Sequence, residues 1–243
     1  MGLFSRTKKL STDTIDNGVK LIAAAKPKDV ISEQFRTIRT NIDFSSVDKQ
    51  LKTLLFTSSN VSEGKSTVSA NTAVTWAQQG KRVLFIDADL RRPTLHTTFG
   101  LNNTQGLSTI LTQSLDFHDH VNDSGIENLT VITSGPVPPN PAELLNSKRM
   151  KELLAQVEQE YDVVMLDVPP LLSVTDTQVL AASVDGVILV VRQGVAQQAA
   201  VKRSVELLEM VHAKLLGYVL NDVAPKNGYG YGYGYGYGYG YEQ

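Results

Sequence analysis

Cysteine is absent from all 243 residues, which excludes disulfides, thiolate nucleophiles and cysteine-built zinc or iron–sulfur sites. Long apolar runs are missing too. No stretch reaches the roughly 18 residues of a membrane-spanning helix, and Met1 to Leu10 lacks the apolar core of a signal peptide. A chain of this kind suits a cell interior, with any membrane contact made through a partner. Charge of one sign is scarce: a formal net charge of −2 leaves no overall basic footprint, so nucleic acid is not an expected partner. Lys8, Lys9, Arg91 and Arg92 are local basic features only.

What is present is the composition of a soluble globular protein, with 42% hydrophobic and 20% charged residues. The length fits one sizeable α/β domain. Residues 1–28 mix polar residues, Gly and Pro without a sustained apolar period and read as an N-terminal arm, packed loosely or against a neighbour. A folded domain is expected over 29–226. From Ser32, taken as the N-cap, Phe35, Ile38 and Ile42 recur at helical spacing while Glu33, Arg36 and Arg39 point elsewhere.

Apolar runs at Thr53 to Thr57, Arg82 to Asp87, Leu129 to Thr133, Asp162 to Asp167, Gly186 to Arg192 and Leu216 to Asn221 alternate with helical segments. Continuous apolar strands are covered on both faces, so the fold class is a doubly wound, mostly parallel α/β sheet of P-loop NTPase type. Ligands in such sheets bind at the carboxyl ends of strands. Residues 227–243 carry a strict Gly/Tyr alternation and read as a flexible tail.

After the first strand, Ser58-Ser59-Asn60-Val61-Ser62-Glu63-Gly64-Lys65-Ser66-Thr67 leads directly into the helical run Val68 to Gln79. This is the context of a phosphate-binding loop. Backbone N–H groups of Ser62, Glu63, Gly64, Lys65, Ser66 and Thr67 would surround ATP phosphates, Lys65 would neutralise their oxygens and the Ser66 hydroxyl would ligate Mg2+. Ser59 stands where the consensus has its first glycine.

Two strands end in acid, at Asp87-Ala88-Asp89 and at Asp167. Acidic strand ends beside a phosphate loop are what Mg-ATP chemistry requires, because the divalent ion needs oxygen ligands. Asp87 and Asp167 are the metal candidates, directly or through water. Asp89 is either a second metal contact or the base that takes a proton from an attacking hydroxyl.

Together these residues resemble the bacterial tyrosine kinases that control capsule and exopolysaccharide synthesis in Gram-positive bacteria. The resemblance rests on Glu33 to Asn41, the phosphate loop, Ile86 to Pro93, Gly135 to Leu145 with Pro138-Pro139-Asn140-Pro141, the Asp167 strand and the tyrosine cluster. It implies catalytic roles for Lys65, Asp87 and Asp89, a metal role for Ser66, Asp87 and Asp167, and an adenine contact at Asn221. It also implies ring formation through Glu33, Arg36 and Arg39, a transmembrane activator that recruits the chain to the inner face of the membrane, and a cognate phosphotyrosine phosphatase. The family commonly has Pro-Gly where this chain has Val61-Ser62, so Ser62 must adopt the backbone geometry of a glycine.

Seven of the nine tyrosines, at Tyr229, Tyr231, Tyr233, Tyr235, Tyr237, Tyr239 and Tyr241, are the expected phosphoacceptors. A Gly-rich tail of about 15 residues has a root-mean-square span on the order of 20 Å, enough to reach its own site or a neighbour's. The competing readings are a partitioning or cell-division ATPase and a nucleotide-binding regulator without catalysis.

Overall fold

The computed structural model describes residues 17–46 and 51–223. Seven strands form one sheet in the order β3-β4-β2-β5-β1-β6-β7, comprising β1 (Thr53–Ser58), β2 (Val83–Asp87), β3 (Asn122–Ile126), β4 (Leu129–Ile132), β5 (Val163–Asp167), β6 (Gly186–Arg192) and β7 (Leu215–Asn221). All neighbours run parallel except β3, which is antiparallel to β4. The six expected strands are therefore present within a residue of their expected starts and ends.

The reason is burial on both faces. Along β1, Leu54 and Phe56 enter one apolar cluster while Leu55 enters the other, so a strand with no polar side in its interior feeds two cores at once. The cluster that takes Leu55 lies under α5 (Leu107–Gln113), α7 (Lys148–Glu160), α8 (Asp176–Ala181) and α9 (Gln198–Met210). The cluster that takes Leu54 and Phe56 lies under α2 (Val30–Phe44) and α3 (Lys65–Ala77). The remaining helices are α1 (Ile22–Ala25), α4 (Leu95–Phe99) and α6 (Pro141–Leu145).

Strand β3 is not legible as an apolar run, since its sequence is Asn-Asp-Ser-Gly-Ile. It forms because the chain reverses through Glu127 and Asn128, the latter at φ +64, and pairs back onto β4 at the sheet edge. Helix α2 also departs from expectation: its N-cap is Asp29, whose carboxylate accepts the Ile31 N–H at 2.9 Å, three residues before Ser32. Ser32 is instead buried, with its hydroxyl donating to the Lys26 carbonyl at 2.7 Å. Phe35 and Ile42 are buried as the helical period requires.

Of the expected arm, the described residues 17–24 contact the core at two buried positions, and 25–28 are exposed. Val19 and Ala23 are buried; the Val19 N–H donates to the Thr98 hydroxyl at 3.1 Å, and Asn71 of α3 supplies the polar anchor around Ala23. Its side-chain oxygen accepts the Ala23 N–H at 2.9 Å while its amide donates to the carbonyls of Lys20 and Thr67, each at 2.9 Å. The tail expected over 227–243 lies outside the described residues.

Asn71→Ala would leave the buried Ala23 N–H and the partly buried Lys20 carbonyl without this partner, while the Thr67 carbonyl keeps its helical N–H. An orphaned buried group costs about 1–3 kcal/mol before relaxation. The expected result is a loss of about 2–3 kcal/mol in urea unfolding, read as a lower midpoint at unchanged slope.

Candidate active site

Strand β1 lies between β5 and β6, and the chain leaves its carboxyl end through residues 59–64 into α3. Two positions in this loop have left-handed backbones, Ser62 at φ +62 and Gly64 at φ +91. A side chain at Gly64 would be strained at this φ, and its Cβ would lie 2.1 Å from the Asn221 side-chain nitrogen, forcing that side chain to move. Ser62 has taken up the conformation that a glycine would adopt freely, as the sequence required.

Side chains within and behind the loop hold it open. Glu63 is buried, and its carboxylate accepts the N–H groups of Ser59 and Asn60 at 3.3 and 3.2 Å. Burial pushes the Glu63 pKa up despite these bonds. Ser59, also buried, accepts a hydrogen bond from the Ser204 hydroxyl of α9 at 2.9 Å, so the serine in the usual glycine position is tied to the scaffold. Two carbonyls of the loop are held from the sheet: Arg192 Nη1 donates to Ser62 O at 3.1 Å, and Asn221 Nδ2 donates to Glu63 O at 2.9 Å.

The parallel register of β2 and β5 sets Asp87 directly opposite Asp167. Both are fully buried, and Asp89 is nearly so. Lys65 Nζ stands 3.2 Å from Asp167 Oδ2 and 3.2 Å from Asp89 Oδ2, while the Ser66 hydroxyl donates to Asp167 Oδ2 at 2.6 Å. Ser69, one turn further along α3, contacts the other Asp167 oxygen at 3.3 Å. Asp87 accepts the N–H groups of Thr94 and Leu95 at the start of α4, at 3.0 and 2.9 Å. The expected residues Lys65, Ser66, Asp87, Asp89 and Asp167 thus meet in one buried cluster.

Charge in this cluster is unbalanced, with three carboxylates around one ammonium. Burial and the facing Asp167 push the Asp87 pKa up to about 8, and burial likewise raises Asp167 against the pull of Lys65. For Lys65, burial works against the charged form, but Asp167, Asp89 and Asp87 outweigh it and hold its pKa above the ordinary range. The donor set therefore fits a hard divalent cation. Among the described residues no group of three or more His, Asp or Glu forms a metal cage unaided.

Beyond the loop, Asn221 helps to line a groove of about 810 Å3 between α2 and β7, together with residues such as Phe35, Ile38, Tyr218 and Leu220. On α2, Glu33 and Arg36 pair with each other, and Arg36 also donates to the Pro27 carbonyl at 2.7 Å. Arg39 turns inward and donates to the Thr75 carbonyl at 3.0 Å, so the three residues do not form one free charged face. Tyr229 to Tyr241 lie outside the described residues.

Sequence reasoning passed over Ser69, Arg192 and Asp222, and took Arg91 only as a local charge. Arg91 makes a two-pronged pair with buried Asp176, at 2.8 and 3.2 Å, and fastens the loop after β2 to α8. Helical spacing (Ser66, Ser69) was the available signal for the first. Nothing short of the sheet register joins the others.

Because folding raises the Asp87 pKa, its ionised form is disfavoured in the native state. The associated stability is present below the ordinary carboxyl range and is lost as pH rises toward about 8. Asp87→Asn should therefore melt higher than the unaltered protein at pH 8.5, by on the order of 1–3 kcal/mol, with a smaller gain at pH 5. Thermal melts at the two pH values check this, and an equal gain at both would contradict it.

Comparison with known proteins agrees with this chemistry. A family model described as an AAA domain matches residues 52–219. The chain is 50% identical over 201 residues to the tyrosine-protein kinase YwqD of Bacillus subtilis, covering 83% of this chain and 85% of the relative. It is 43% identical to the putative tyrosine-protein kinase CapB of Staphylococcus aureus, covering 81% and 86%. Among solved structures, the kinase domain of Escherichia coli tyrosine kinase ETK superposes with a TM-score of 0.82 at 36% identity, covering 89% of this chain and 85% of that one. With a phosphate loop, its acidic cluster and relatives of this closeness along most of its length, the chain belongs to the bacterial tyrosine-protein kinase family.

Proposed function

We propose that this kinase transfers the γ-phosphate of Mg-ATP to the tyrosines at 229–241, between neighbouring copies in a ring, and thereby regulates capsule or exopolysaccharide synthesis. The observation that carries the reading is the buried cluster of Lys65, Asp87, Asp89 and Asp167 at the mouth of the loop, in a chain with seven evenly spaced tyrosines.

Phosphoryl transfer is mainly a matter of position and electrostatics. The loop N–H groups and the start of α3 receive the phosphates. Lys65 exchanges its carboxylate partners for phosphate oxygens, and this exchange frees Asp89. Ser66, Asp87 and Asp167 would hold Mg2+, which when bound neutralises charge on the phosphate oxygens. The tyrosine phenol, protonated at neutral pH with an ordinary pKa of about 10, gives its proton to Asp89 as its oxygen bonds to the γ-phosphorus and the bond to the ADP oxygen breaks. Asn221 keeps its side-chain oxygen as an acceptor for the amino edge of adenine.

Ring contacts are assigned to the α2 face bearing Glu33 and Arg36, with Arg39 supporting that helix from behind. A transmembrane activator brings the kinase to the inner face of the membrane, and a phosphotyrosine phosphatase reverses its product. The family resemblance supports both partners. Among the described residues no helix is long and apolar enough to cross a membrane. Each phosphate adds roughly −1.5 to −2 charges, so a fully modified tail repels its neighbours and loosens the ring.

Mass spectrometry after incubation with Mg-ATP and the membrane activator tests the transfer. Phosphotyrosine at 229–241 is expected in the unaltered chain and absent in Lys65→Met. ATP hydrolysis without tyrosine modification would instead favour the partitioning-type ATPase. For assembly, Glu33→Ala with Arg36→Ala should shift light-scattering mass toward the monomer at unchanged melting temperature. An unchanged mass would remove this face from the ring contact.

A further inference from the structure

Ser62 sits in the phosphate loop with a left-handed backbone at φ +62, a conformation that costs any residue with a Cβ something and that glycine adopts freely. What keeps it there comes from outside the loop. Arg192, the last residue of β6, donates from Nη1 to the Ser62 carbonyl at 3.1 Å. Its other two donors, Nε and Nη2, both reach Asp222 Oδ2, at 3.0 and 2.9 Å. Asp222 follows the last residue of β7 and is itself left-handed at φ +58. Its neighbour Asn221 holds the next carbonyl of the loop, that of Glu63, at 2.9 Å.

A peptide unit is planar and trans, so its carbonyl and its N–H point in opposite directions. The Ser62 carbonyl shares a plane with the Glu63 N–H, and the Glu63 carbonyl shares one with the Gly64 N–H. A bond that fixes each carbonyl on the outer side of the loop also fixes where the following N–H points on the inner side. These are N–H groups of the kind that cradle phosphates. The ends of β6 and β7 are in register, Arg192 opposite Asn221, which is why one guanidinium reaches both the loop and Asp222. The Arg192 and Asp222 side chains are 30% and 54% exposed, so as an ion pair they contribute little to stability. Their value is directional.

We propose that Arg192, anchored by Asp222, is a positioning residue for nucleotide binding: it holds the Ser62–Glu63 peptide so that its N–H faces the phosphates, in place of the glycine that this loop lacks. This rests on the phosphate loop being the ATP site. Neither residue touches the reacting atoms, so loss of the clamp weakens binding while leaving transfer from bound ATP intact.

The test is isothermal titration of the full chain with Mg-ADP, beside Arg192→Gln, Asp222→Asn, the double variant and Arg192→Lys, with melting curves of each without nucleotide. Arg192→Gln is expected to weaken binding about 3- to 10-fold, the loss of one charge-assisted hydrogen bond. Asp222→Asn should give a smaller loss, and the double variant should be no weaker than Arg192→Gln, because both act through one guanidinium. Arg192→Lys should fall between, having charge without the fork. Melting temperatures should stay together, and in autophosphorylation the KM for ATP should rise at unchanged kcat. Wild-type affinity in Arg192→Gln, additive losses in the double variant, or a melting temperature that falls with affinity would each overturn the proposal. If the unaltered chain itself bound no Mg-ADP, the phosphate-site reading would fail instead.

Discussion

Two aspartates facing each other on adjacent strands set the terms for this structure. The β2–β5 register leaves Asp87 and Asp167 no freedom to separate, and complete burial denies both of them water. Like charges so placed are unfavourable, and the surroundings are arranged to offset them. Lys65 and Ser66 approach Asp167 from the start of α3, and the first N–H groups of α4 approach Asp87. The position of two helices relative to the sheet is thereby tied to the same atoms to which the proposed chemistry is assigned. A residual negative charge remains, of the sign that suits a divalent cation.

Much of this was open to inspection in the sequence. The strands of the sheet announce themselves because they are apolar without alternation, as strands covered on both faces must be. The phosphate loop, Asp87, Asp89 and Asp167 follow from a short motif and two strand ends, and Ser62 was singled out because a glycine usually occupies its place. Other features depend on encounters that no local pattern records. Strand β3 is polar and exists only through its hairpin with β4. The attachment of residues 19–23 depends on Asn71, Gln78 and Thr98, some fifty to eighty residues distant. Arg39 looked like one member of a charged face until the fold gave it the Thr75 carbonyl, at the end of a different helix.

Loop and scaffold are more closely connected than the motif suggests. Ser59 reaches α9 through Ser204, Ser62 reaches β6 through Arg192, and Glu63 reaches β7 through Asn221. A loop that must hold its N–H groups converging on an anion cannot depend on its own few residues, least of all with serine where glycine would rest without strain. Rigidity is drawn from three neighbouring elements, each supplying one hydrogen bond.

The two margins of the sheet are unlike. On one side it ends in β3, short, polar and bulged, which discourages a further strand from pairing. On the other it ends in β7, seven residues long, with Tyr218 and Leu220 largely exposed. The sheet is consequently asymmetric among the described residues: its longer, more apolar border is the one that terminates in the residue gripping the phosphate loop.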